Sequence, residues 1–284
     1  MKKIVSLVLA LCLLLAVGTA LTSCGNTAKV KIIDIPLTSE EYAFVVKKGN
    51  TDLKNDFNNY LASIKANGTF QNIVDKYFQG TGTKVGVDVA TGDVTNDNTN
   101  LVVATNCPFE PFEYIGEDGK IYGIDIEIAK GYAESKGLTL VVKNIGFDDI
   151  FTQVDVGYAD IGMAGITVTP ERATLYDFSD TYYNASQKII VMASNTDFDD
   201  CKSAEDVENV LKGLTDKKVG YQTGTTGNWY VAGDEDWGYD GFANLTPKGY
   251  DTAMDAIMDM KNGNLYAVVV DEAPGAAMVK GANK

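Results

Sequence analysis

Apolar residues along this chain recur at two spacings. Leu53, Phe57, Leu61 and Ile64 repeat every three or four positions, and Asn67-Gly68 follows them. That spacing predicts a helix with one buried face. Phe70, Ile73, Val74, Tyr77 and Phe78 predict a second such helix, with Gly80 after it. Both stripes are read as core packing. Shorter runs have the strand pattern. Residues 30–35 form one, stopped by Pro36, and residues 41–46 form a short extended stretch. From residue 101 onward strands and helices alternate. Strands are predicted at 101–105, 138–143, 160–166, 187–193, 218–221 and 265–270. Helices are predicted at 124–136 with Gly137 as its stop, near 148–156, and from the Ser203-Ala-Glu-Asp206 capping pattern onward. Ala253, Ala256, Ile257 and Met260 predict another, closed by Gly263, and a short Ala/Gly/Met helix ends the chain. Such alternation implies an α/β fold with largely parallel sheets.

Two segments break the pattern. In residues 79–100, Gly, Thr, Asn and Asp fill 15 of 22 positions, the composition of a linker, with a short strand allowed near 85–89. At the start, Lys2 and Lys3 precede an apolar run over residues 4–20 and then Leu21-Thr22-Ser23-Cys24-Gly25. A basic start, an apolar stretch and small residues before a cut describe a secretory signal over residues 1–23. Leu-Thr-Ser-Cys also resembles the bacterial lipobox. That resemblance implies a lipid thioether on Cys24, and a chain held at the extracellular face of the membrane or in the periplasm. An uncleaved transmembrane anchor is the alternative, but the run is short for a span.

Composition narrows the chemistry. The portion from Cys24 on, about 260 residues, accommodates two lobes. Hydrophobic residues at 45% and charged residues at 22% suit a soluble globular chain. A net charge of −15 argues against nucleic acid as a partner. There is no histidine, and with it goes the commonest general base and metal ligand. No zinc spacing, phosphate loop or nucleophile elbow is present, so no catalytic residue, metal or cofactor is expected. Cys107 and Cys201 fall in different predicted lobes and are expected as free thiols.

Three loops that leave strands carry the candidate site. Asn106-Cys-Pro-Phe109-Glu-Pro-Phe112-Glu-Tyr114 places aromatics at a strand's C-terminal end, where open α/β sheets bind ligands. Ala164-Gly165-Ile-Thr167-Val-Thr169-Pro-Glu-Arg172 supplies N–H groups, hydroxyls and a guanidinium near a helix start, a setting that favours an anion. Gln222-Thr223-Gly224-Thr225-Thr226-Gly227 reads as a second, weaker anion cradle.

With these loops in place, residues 101–284 resemble the periplasmic-type solute-binding proteins of bacterial ABC transporters, in the polar amino acid family (family 3). The matching stretches are Leu-Val-Val-Ala-Thr-Asn with Pro-Phe-Glu-Tyr, Gly-Ile-Asp-Ile-Glu-Ile-Ala, Ala-Gly-Ile-Thr-Val-Thr-Pro-Glu-Arg, Asp-Phe-Ser-Asp-Thr-Tyr-Tyr and Val-Val-Val-Asp-Glu-Ala-Pro. The stretch that usually ends such chains stands here at the start, as Ile-Pro-Leu-Thr with Glu-Tyr-Ala-Phe-Val-Val-Lys-Lys-Gly-Asn, then Asn-Gly-Thr-Phe and Ile-Val-Asp-Lys-Tyr-Phe. The order is therefore expected to be circularly permuted, with the linker joining the usual termini. Duplication followed by loss would give the same parts.

The resemblance implies a two-lobed, type II periplasmic-binding-protein-like α/β fold with mixed, mostly parallel sheets. Lobe 1 would span residues 38–186 including the linker, and lobe 2 residues 192–284 plus 30–35. The hinge segments would lie at 36–37 and 187–191. It implies capture of a free amino acid between the lobes, a membrane ABC permease as partner, and a monomer. Arg172 would take the α-carboxylate, helped by Thr167, Gly165, Thr225 and Thr226. Asp271 would take the α-ammonium, and Phe109 and Phe147 would sandwich the ligand. Asn106 stands where relatives that bind cationic side chains often have Asp, which lowers the expectation of such a ligand. Two other readings share the fold. One is a cyclohexadienyl dehydratase-like enzyme, for which Glu110 is the candidate acid; the other is a sensing module read by a partner protein. In permuted order the anchor should leave near the hinge, on the second-lobe side.

Overall fold

The computed structural model describes residues 28–90 and 99–284. The signal segment, Cys24 and the middle of the linker lie outside the described residues. Among the described residues no helix is long and apolar enough to cross a membrane.

Two five-stranded sheets organise the chain, in the orders β7-β4-β8-β3-β9 and β1-β11-β14-β12-β13. The first contains β3 (Val45–Lys47), β4 (Asn100–Thr105), β7 (Thr139–Asn144), β8 (Ile161–Gly162) and β9 (Tyr176–Phe178). The second contains β1 (Val30–Ile33), β11 (Gln187–Met192), β12 (Lys218–Gln222), β13 (Thr246–Tyr250) and β14 (Ala267–Asp271). In each sheet two pairings are parallel and two antiparallel, so parallel pairing does not dominate. The antiparallel pairs are made by strands that arrive from the other lobe. Such strands need no crossover helix and so escape the constraint that makes βαβ units parallel.

Helices form where the spacing places them. α1 (Thr51–Ala66) buries Phe57, Leu61 and Ile64, and α2 (Thr69–Phe78) buries Ile73 and Tyr77. α3 (Ile124–Lys136) ends on Gly137, whose left-handed conformation an ordinary side chain resists. α4 (Phe147–Asp155), α5 (Pro170–Leu175) and α6 (Ala204–Gly213) follow. The Ser203 hydroxyl accepts from the Asp206 N–H and caps α6. α7 (Thr226–Ala232), α8 (Ala253–Lys261) and α9 (Glu272–Ala282) complete the second lobe. The strand expected over 160–166 shrinks to Ile161–Gly162, because Gly165 turns the chain at φ +54°.

Two segments cross between the sheets. β2 (Glu40–Tyr42) and β10 (Tyr183–Ala185) pair antiparallel as a separate ribbon. The ribbon is continued by Leu37 N–H donating to the Gln187 carbonyl and Gln187 N–H donating to the Thr38 hydroxyl. Residues 187–191, predicted both as part of a strand over 187–193 and as a hinge segment, form a strand of the second sheet, flanked by β1 and β14. Ile189, Ile190 and Val191 are fully buried there, so burial fixes the segment in a core and moves the crossing upstream of Gln187. Lys188 from the same strand bridges Asp34 at 2.5 Å and Glu272 at 2.7 Å. Of the linker, Val87 bridges to Ile121 and Val89 to Val142, which lays this stretch against the first lobe.

Candidate functional site

The cleft between the sheets is lined by Asn106, Phe109, Glu113, Phe147, Ala164, Gly165, Thr167, Arg172, Gln222, Thr225, Thr226 and Asp271. All nine residues singled out as ligand-binding in the sequence therefore meet at one place. Each sits just beyond a strand end or at a helix start, where the chain must turn and side chains are free to converge.

Arg172 lies in the first turn of α5. Its N–H donates to the Thr169 hydroxyl, so the cap fixes the helix start and the arginine with it. The guanidinium is buried and donates to the Thr167 carbonyl and the Gly224 carbonyl, both at 2.9 Å. Rings of Phe147, Phe151 and Trp229 surround it at 5.5, 4.8 and 5.0 Å. A planar cation packed among aromatic faces holds one orientation. Burial pulls the Arg172 pKa down to about 10, opposed by the nearby charges of Glu40, Asp148 and Asp271.

Asp271 ends β14 and is buried. The Tyr42 hydroxyl donates to it at 2.5 Å. Burial and the neighbouring Glu40 carboxylate push its pKa up to about 7, against the lowering effect of Tyr42 and Gln187. Asn106 donates to the Ile145 carbonyl at 2.6 Å and accepts from Gln222 at 2.8 Å, so its amide ties one lobe to the other. The Thr225 hydroxyl is turned back onto the Gln222 carbonyl. The Gly165 N–H, expected to face the ligand, donates to Asp125 instead. A β-carbon at Gly165 would meet the Phe109 ring at 2.6 Å, so this glycine lets the aromatic wall close down. A β-carbon at Gly224 would lie 1.8 Å from Asp148, so this glycine permits the two lobes to meet.

Four residues of the site went unselected in the sequence. Gln222 bridges the lobes, and Glu40 and Tyr42 project from the ribbon strand β2. The fourth, Glu113, is fully buried, and neither carboxyl oxygen has a hydrogen-bond partner among the described residues. Burial raises its pKa well above the usual carboxylate range, reinforced by Asp125 and Asp271. Burial likewise pushes Asp125 up to about 7, although Tyr182 and Gly165 donate to it. One signal for Glu113 was present: it stands between Phe112 and Tyr114 in the aromatic loop that leaves β4. Glu110, the acid weighed for catalysis, lines a different groove with Phe78, Tyr183 and Lys280. It stands 4.0 Å from Lys84.

Buried acids thus outnumber the buried cation around this cleft. Glu113 and Asp271 line it with Arg172, Glu40 accepts from the lining threonines, and Asp125 accepts from the Gly165 N–H.

Known proteins resemble the chain along much of its length. A probable histidine-binding protein of Neisseria gonorrhoeae is 30% identical over 180 residues, covering 63% of this chain and 61% of that protein. The match thus spans less than two thirds of that relative. A solved ancestral arginine-binding protein bound to arginine superposes with a TM-score of 0.55 at 35% identity, covering 64% of this chain and 74% of that one. An ancestral amino acid-binding protein, described as a precursor of cyclohexadienyl dehydratase, gives 0.56 at 31% identity, covering 65% and 75%. These neighbours share the two-lobed type II architecture. The model of the bacterial extracellular solute-binding proteins, family 3, matches residues 12–80 and 101–272. With two sheets, a crossing ribbon and a charged cleft between them, the chain belongs to that family of amino acid-binding proteins.

Proposed function

We propose that this protein captures a free amino acid with a cationic side chain between its two lobes and delivers it unchanged to a membrane ABC permease. The observation that carries this reading is the charge balance of the cleft, one buried arginine against several buried carboxyls. Arg172 offers the α-carboxylate a fixed cation. Asp271 takes the α-ammonium. Glu113, buried and without a hydrogen-bond partner among the described residues, meets the cationic end of the side chain. Phe109 and Phe147 line the path between them. Asn106 had counted against such a ligand, but its amide is committed to Gln222 and the Ile145 carbonyl, and Glu113 supplies the carboxylate in its place. Relatives named for histidine and arginine support the same ligand class.

A thermal-shift screen against the twenty amino acids tests this, since a ligand that binds only the folded state raises the melting temperature. Arginine, lysine or histidine should give the largest rise; a neutral or acidic winner would sink the cationic assignment. The dehydratase reading keeps one support, the ancestral neighbour at 31% identity. Its candidate acid Glu110 lies outside the cleft lining, so incubation with prephenate or arogenate should give no turnover.

The location and chain order belong to the same proposal. Cys24 carries the lipid, the chain works as a monomer outside the cytoplasm, and Cys24→Ala should release it from membranes into the soluble fraction. The order is circularly permuted. Two observations support this: the family match falls in two blocks on either side of the linker, and the chain's last turn sits on its first strand. The Asn283 side chain accepts from the Val30 N–H and donates to the Val30 carbonyl, each at 2.9 Å. The tether then leaves from the second lobe, whose sheet holds both Val30 and β14.

A further inference from the structure

Glu40 is a buried carboxylate on the ribbon that joins the lobes. Its Oε2 accepts from the Thr167 hydroxyl at 2.7 Å and from the Thr226 hydroxyl at 2.8 Å. Thr167 belongs to the loop before α5 in the first lobe, and Thr226 opens α7 in the second. Its Oε1 accepts from the Thr38 hydroxyl at 2.6 Å, a bond within the same segment that braces the carboxylate. Thr226 in turn accepts from the Gln187 amide at 2.8 Å while its hydroxyl hydrogen goes to Glu40. The next inward residue of the strand, Tyr42, reaches Asp271. Glu41 between them is exposed, as alternation along a strand requires.

We infer that Glu40 is an interlobe clasp that positions the ligand site. One oxygen gathers a hydroxyl hydrogen from each lobe, and the carboxylate can do this only when the two loops stand as they do in the closed cleft. The two threonine hydrogens are then spent on Glu40. What Thr167 and Thr226 present to a ligand is oxygen, and the donors left for the α-carboxylate are Arg172 and backbone N–H groups. The hinge strand thereby reads closure directly: Glu40 stabilises the closed cleft, and the ligand enters a site whose hydroxyls are already oriented. This rests on the cleft being the amino acid site, and it assigns Glu40 as a positioning residue within it.

Glutamine and alanine separate the geometry from the charge. In Glu40→Gln the amide oxygen can still accept both hydroxyls while its NH₂ faces Thr38. In Glu40→Ala the clasp is gone. The probe is L-arginine, followed by calorimetry, stopped-flow kinetics and a fluorescence pair reporting lobe separation. Glu40→Ala should weaken binding by roughly 10- to 100-fold, the range for loss of charge-assisted hydrogen bonds. Most of the change should fall on the dissociation rate, with a more open liganded state, and Glu40→Gln should recover most of it. Thr167→Val and Thr226→Val should be non-additive with Glu40 present and additive in Glu40→Ala. Wild-type affinity and closure in Glu40→Ala would overturn the clasp, as would Glu40→Gln behaving like Glu40→Ala. Should the alanine variant not fold, the threonine cycle in the wild-type background decides: additivity there overturns the proposal. Arg172→Ala run alongside keeps the two readings apart. If it binds arginine normally, the site itself is misassigned; if it fails while Glu40→Ala binds normally, only the clasp is lost. If L-arginine does not bind the wild type, the amino acid that does in the screen takes its place.

Discussion

The first-lobe wall of the cleft presents Arg172, Phe109, Phe147, Glu113 and Thr167. The second-lobe wall offers Asp271, Gln222, Thr226 and the Gly224 carbonyl. One side provides a permanent cation packed among rings, together with aromatic surface. The other provides a titratable acid, amide and hydroxyl groups, and a turn small enough to approach closely. The difference suggests a division of labour. On the proposed function, the first lobe would set the shape and polarity of what is caught, and the second lobe would close over it and complete the charge balance.

The sharpest way to break this comparison is to remove the fixed cation. Arg172→Ala should cost about 2–5 kcal/mol of amino acid affinity, measured by calorimetry, because it leaves the ligand carboxylate without its partner. Unchanged affinity would show that the first lobe does not hold the anion. Next comes Glu113→Gln, also on the first wall. It should lower affinity for a cationic amino acid by about 1.5–3 kcal/mol and leave a neutral one nearly unaffected, as expected for one charge-assisted bond. Equal loss for both would remove the side-chain assignment.

The second wall should reveal itself through pH. With Asp271 raised to about 7, its ionised form is the one that receives an ammonium. Affinity should therefore be about tenfold weaker at pH 6 than at pH 8, with proton release visible as a dependence on buffer ionisation heat. Asp271→Asn should remove one proton from that linkage. The sign for stability is opposite. A carboxyl whose folded pKa lies above its ordinary value of 3.8 favours the folded state while it stays protonated. Without ligand, its contribution is complete below about pH 4 and is lost as pH rises toward 7. A chemical denaturation series across that range checks this. The smallest effect concerns the second lobe's scaffold. Ser203→Ala removes the α6 cap and should lower stability by about 1 kcal/mol while leaving affinity unchanged. A matching loss of affinity would show that the second wall is not independent of its helix packing.

Much of the architecture was legible from spacing. The helices at 51–66, 69–78 and 124–136 bury the residues their stripes nominate, because one-sided apolar periodicity leaves few other ways to hide that surface. The site loops were legible because Gly, Pro and Thr clusters after apolar strands mark where a chain turns. Less legible were the short strands at 176–178 and 183–185, whose half-buried residues carry no clean alternation. The edge strand β13 holds Pro247 and hid for the same reason. The crossing near residue 187 was also less legible. Gln187–Met192 is apolar enough for a strand, but only its two neighbours show which sheet claims it.

Sequence by itself determined the α/β alternation and the set of loops that converge on the cleft. Those follow from local rules of periodicity, turn chemistry and residue type. Only the tertiary structure decided how the charges balance. Glu40, Glu113 and Arg172 lie far apart in the chain, and nothing local in it states that they share one desolvated cleft. Burial is a collective property of both lobes, and it leaves Glu113 an acid without a hydrogen-bond partner among the described residues and Glu40 a carboxylate bonded to both walls.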